Sequence, residues 1–109
     1  MDSRGTILVA DYVWTHKARP TGTDLTALHE EVVAVGSPRS EDAVSMQAFE
    51  FADKWGYAKW TRREDTAQIT AVAKLFEAWP DDMHRLARTI SLLGKLDQIR
   101  HSRPGLATE

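Results

Sequence analysis

Pro80 limits what this chain can fold into more than any other residue. It lacks an amide hydrogen and clashes inside a helix, yet it is at home in a helix's first turn. It falls within the longest amphipathic stretch, residues 61–100 (TRREDTAQITAVAKLFEAWPDDMHRLARTISLLGKLDQIR). We read that stretch as two helices meeting at Trp79-Pro80, in preference to one long helix kinked there.

The first of the two opens on Thr61 with Glu64 three residues on, the pattern of a capping box. Ile69, Val72, Ala73, Phe76 and Trp79 then recur at helical spacing, with Leu75 at the edge. Asp81 and Asp82 follow Pro80, where negative charge suits the positive end of a helix dipole. The second helix runs from about 80 to 100 and is apolar on two sides. Met83, Leu86, Ala87, Ile90 and Leu93 share one face, and Leu92, Leu96 and Ile99 take roughly the opposite one. In so short a chain that implies a central core helix or a surface for self-association. Gly94 costs about 1 kcal/mol against alanine in a helix interior, which a close backbone contact would offset.

Two further helices precede these. Ser40-Glu41-Asp42 opens one through about Trp55, with a stripe of Val44, Ala48, Phe51 and Trp55 and a stop at Gly56. Thr23 or Asp24 caps a shorter one that carries Leu25, Leu28, Val32 and Val35 and ends at Gly36. Residues 15–23, with Pro20 and Gly22, read as a loop. Residues 6–14 (TILVADYVW) read as an extended or β segment, being β-branched and aromatic with no breaker. Its partner would be residues 31–35 (EVVAV), the same strand of another subunit, or the helices on which it lies as an arm. The fold class is therefore mostly α: a small four-helix domain with an N-terminal extended segment. The alternative is α+β with a hairpin of 6–14 and 31–35. Residues 1–101 form a single domain, and the tail 102–109, with Pro104 and Gly105, reads as disordered.

Composition narrows the function classes. The chain of 109 residues has no cysteine, so it has no disulfide framework and no thiolate chemistry. No run of about 18 apolar residues exists to span a membrane, and the N-terminus lacks a signal-like core. A cytoplasmic location is expected. The net charge is −2. Residues 1–55 hold five Lys/Arg against nine Asp/Glu, and residues 56–109 hold nine against seven, which permits a basic face in the second half.

No catalytic motif is present: no serine sits in a glycine-framed elbow, and Gly22 and Gly36 make no phosphate loop. Asp81 and His84 share a helix face, but a metal would need a further ligand, so neither metal nor cofactor is expected. Trp55, Tyr57, Trp60 and Trp79 suggest an aromatic patch for a ligand or a partner. Leu92, Leu96 and Ile99 suggest self-association.

The leading expectation is a small non-enzymatic regulatory or adaptor protein, homodimeric, acting through protein–protein contacts. A DNA-binding regulator is the first alternative. There, helix 40–55, Gly56 and helix 61–79 resemble a helix-turn-helix, and Lys59, Arg62, Arg63, Arg85 and Arg88 would contact nucleic acid. A small-molecule-binding or catalytic domain with a Trp-lined pocket is the second.

Overall fold

Eight residues of one short segment, Gly5 to Ala10 with Asp11 and Val13, are buried, which no surface-lying strand or arm could achieve. In the computed structural model, which describes residues 3–59 and 66–102, with side chains to Arg100, that segment is a helix. Five helices follow one another: α1 Ser3–His16, α2 Gly22–Ala34, α3 Glu41–Lys54, α4 Ala67–Ala78 and α5 Pro80–Ser102. There is no strand among the described residues. Among the described residues the fold is all-α, with five helices in place of four and a helix in place of the extended segment or hairpin strand expected at residues 6–14.

The reason for the correction is the position of α1. It packs against each of the other four helices, and those four form a ring around it: α2 touches α3 and α5, and α4 touches α3 and α5. A helix enclosed on all sides must be apolar on all sides. Its run of Ile7, Leu8, Val9 and Ala10 then has no helical period and looks like a buried strand. Enclosure overrides the β-propensity of its valines and isoleucine. Leu8, Val9 and Val13 of α1 join Val32, Val44, Phe51 and Phe76 in the fully buried core.

The ends of the helices follow local chemistry. Ser40 caps α3 by accepting a hydrogen bond from the Ala43 amide at 3.1 Å, and Gly56 ends its exit turn at φ +82°. Gly36, also at φ +82°, closes α2 with its amide on Val33 O and the Ser37 amide on Val32 O. α4 is capped by Thr66, whose hydroxyl accepts from the Ile69 amide at 3.2 Å. The capping box expected at Thr61 and Glu64 falls outside the described residues, and the described helix begins five residues later than that cap implied, at Ala67. Pro80 does what its chemistry requires. Trp79 leaves helical geometry at φ −136° and ψ 65°, and Pro80 is the first residue of α5.

The burial of α5 is rotated from expectation. Met83, Ala87, Ile90, Ser91 and Gly94 face the bundle, while Leu86 and Leu93 are 42% and 57% exposed. Gly94 explains the rotation. A β-carbon there would lie 2.8 Å from Val35 Cγ1 and 3.1 Å from the Ala34 carbonyl oxygen, so α2 and α5 meet backbone to backbone at this glycine. Only the small residues on that side of α5 allow such an approach.

Candidate functional site

Two regions compete for the role of functional site: the outward face of α5, and a polar cluster where α1, α2 and α5 meet. Leu92, Leu96 and Ile99 lie on one outward arc of α5, at 63%, 48% and 53% exposure. Their spacing of four and three keeps them within about 60° of one another around the helix. Arg85, Arg88, Lys95 and Arg100 flank this ridge. Two of them pair along the helix, Arg85 with Asp82 at 3.5 Å and Arg100 with Asp97 at 4.0 Å. Such exposed pairs are worth ~0–1 kcal/mol and are easily exchanged.

The ridge borders a groove between α2 and α5. Two clefts of about 410 and 390 Å³ share Val33, Ala34 and Gln98 in their walls. The larger also takes in Ala27, Glu30 and Lys95. Val33 is nearly half exposed. Ala27, Glu30 and Val33, three residues apart each, therefore form a small exposed stripe on α2 facing the Lys95 flank of α5.

The polar cluster begins with Asp11, whose side chain is only 4% exposed in the middle of the central helix. A carboxylate buried there must be paired. His84 Nδ1 donates to its Oδ1 at 2.7 Å, and Arg88 Nη2 donates to its Oδ2 at 3.4 Å. Arg88 also lies 3.8 Å from Glu31 Oε1, which accepts the Ser91 hydroxyl at 2.7 Å. A continuous chain of charge-assisted contacts thus ties α1 to α5 and α5 to α2.

A cleft of about 280 Å³ opens beside this cluster, lined also by Tyr12, Thr15 and His16. Tyr12 stacks on His16 with centroids 4.0 Å apart and donates its hydroxyl to Asp24 at 3.3 Å. Partial burial pushes the Tyr12 phenol up from its ordinary value, aided by the charge and hydrogen bond of Asp24. With Nδ1 held by the Asp11 carboxylate, Nε2 is the ring nitrogen of His84 that Asp11 does not engage. Three or more His, Cys, Asp or Glu side chains placed to hold a metal are absent among the described residues.

No motif in the sequence points to Asp11. An ionisable residue inside an apolar run is the available signal, together with His84 and Arg88 four apart on one helix face. Sequence spacing draws attention to His84 only beside Asp81, which plays no part in the cluster.

The expected aromatic patch is divided. Trp55 packs into a corner of the core, edge-on to Trp14 at 5.0 Å, stacked on Phe51 at 5.3 Å and tilted to Phe76 at 6.0 Å. Its indole donates to Glu77 Oε2 at 3.1 Å. Tyr57 lies near it in sequence, under the Lys17 ammonium at 5.8 Å. Trp79 stands apart at the α4–α5 junction, 58% exposed. Trp60 lies outside the described residues.

The expected nucleic-acid contacts are likewise scattered. Arg88 is engaged by Asp11, Arg85 and Lys59 are exposed on separate elements, and Arg62 and Arg63 lie outside the described residues. No described helix is long and apolar enough to cross a membrane. The chain matches no protein-family model, no curated protein and no solved structure.

Proposed function

We propose that this chain is a non-enzymatic regulatory or adaptor protein that works through protein–protein contacts, as a homodimer joined along the outward face of α5. The observation that supports this reading is the exposed ridge of Leu92, Leu96 and Ile99 on the longest helix. A large side chain of this kind gains about 1.5–3 kcal/mol on full burial. Six of them, three from each copy and each already half covered, supply on the order of 5–9 kcal/mol. Association costs ~4–15 kcal/mol in lost freedom. The ridge is therefore worth most where it finds a shaped seat on its partner.

The other readings have less to support them. The described part of α4 carries one lysine and one glutamate, Lys74 and Glu77, and offers no basic surface for a DNA groove. Trp55 spends its ring on packing, which leaves the Trp-lined pocket without its central member. The Asp11–His84 pair favours a ligand site at the α1/α2/α5 cleft. However, its contacts with His84 and Arg88 are those a buried carboxylate needs for its own solvation.

Light scattering of the wild-type chain and of Leu96→Glu tests the reading. The wild type is expected as a dimer and Leu96→Glu as a monomer with unchanged far-UV circular dichroism. A Leu96→Glu variant that remains dimeric removes the ridge from the interface, and one that unfolds identifies Leu96 as core.

A further inference from the structure

The ridge and the α2/α5 groove lie side by side on one surface, with Lys95 between them. Two-fold symmetry turns such a pair of patches into a closed dimer, because the ridge of each copy can enter the groove of the other. We infer that the seat for the α5 ridge is the α2 stripe of a second copy, Ala27, Glu30 and Val33, with Lys95 of one copy facing Glu30 of the other. This rests on the homodimer reading above and names the surface it leaves open.

Three observations carry it. Val33 and Ala27 are exposed apolar positions on α2, and they border the groove that faces the Lys95 flank of α5. On the flank of the ridge Arg85, Arg88 and Arg100 are paired with Asp82, Asp11 and Asp97, which leaves Lys95 as the cation beside the groove, whereas the α2 side of the groove carries Glu30 and Glu31. Glu31 is engaged by Ser91 and Arg88, but neither Glu30 nor Lys95 forms an ion pair among the described residues. Ridge against ridge would instead leave the α2 groove empty and give Lys95 and Glu30 no complement across the interface. Ridge into groove pairs basic with acidic twice over.

Reciprocal charge reversal tests the pairing between chains. Glu30→Lys sets two lysines against each other at each of the two contacts of a homodimer, and Lys95→Glu sets two glutamates there. Each variant alone is expected to dimerise about tenfold more weakly at low salt, the size of two symmetric surface pairs turned from attraction to repulsion. Mixed one to one, the two variants are expected to form a heterodimer. One of its cross-chain contacts pairs the two unaltered residues, Lys95 and Glu30, and the other pairs the two substituted ones, so both are opposite in charge and the affinity is that of the wild type. Within each variant chain, positions 30 and 95 carry like charges whether it is alone or mixed. An effect arising inside the chain would therefore not be rescued by mixing.

Analytical ultracentrifugation of each variant, the mixture and the wild type reads all of this. A wild-type dimer whose variants dimerise normally, or whose variants stay weak when mixed, overturns the Glu30–Lys95 seat while leaving the α5 ridge in place. A wild type monomeric at every concentration removes the homodimer reading and the seat with it.

Discussion

Replacing His84 and Arg88 together by alanine is expected to destabilise the domain by about 3–5 kcal/mol, the cost of leaving a buried charge without compensation. The two side chains hold the two oxygens of the Asp11 carboxylate, which is 4% exposed within the central helix. Asp11→Ala is expected to cost less. It removes the buried member and leaves His84 and Arg88, each nearly half exposed, for water to solvate. The asymmetry is the informative part, since removing a partner strands a desolvated charge and removing the charge itself does not. Urea denaturation of the two variants at neutral pH gives the comparison. If Asp11→Ala proves the more damaging, the carboxylate is a net attractor that the helices need, beyond being a buried group that must be satisfied.

Gly94→Val is expected to lower stability by about 1–3 kcal/mol, in the range of overpacked cores, and Gly94→Ala by less. Propensity alone predicts the opposite sign for alanine, a gain of about 1 kcal/mol inside a helix. Against it stands a β-carbon 2.8 Å from Val35 Cγ1 and 3.1 Å from Ala34 O. Val35 is β-branched and has few rotamers to yield into, and the Ala34 carbonyl is backbone. The helices themselves must move apart, and the Glu31–Ser91 contact between the same two helices loosens with them. Thermal unfolding of the alanine and valine variants checks the ordering. A Gly94→Ala variant more stable than wild type shows that α2 and α5 can separate at little cost.

Much of this architecture is written locally and is legible in the sequence. Pro80 behind Trp79 marks a helix boundary through its missing amide. Ser40 followed by Glu41 and Asp42 marks a cap, and Gly36 and Gly56 mark exits that need positive φ. The stripe of Val44, Ala48 and Phe51 falls on the core because an amphipathic helix has one way to face it.

What escapes such reading is what depends on enclosure. Ile7 to Ala10 carry no period because α1 is surrounded, so propensity fills the gap with a strand. Leu86 and Leu93 suit the core by size, yet the close approach at Gly94 turns α5 so that Ser91 goes inside and they go out. The Asp11 cluster joins residues more than seventy positions apart, and no spacing in a single segment encodes that. The α5 ridge is visible as a second apolar face, whereas the groove beside it needs α2 and α5 in place together.

Sedimentation equilibrium of the wild-type chain over a wide concentration range tests most directly whether the outward face of α5 joins two copies. The account predicts a reversible approach to twice the 12.3 kDa chain mass, abolished by Leu96→Glu. A single species at the chain mass up to the highest concentration reached would contradict it.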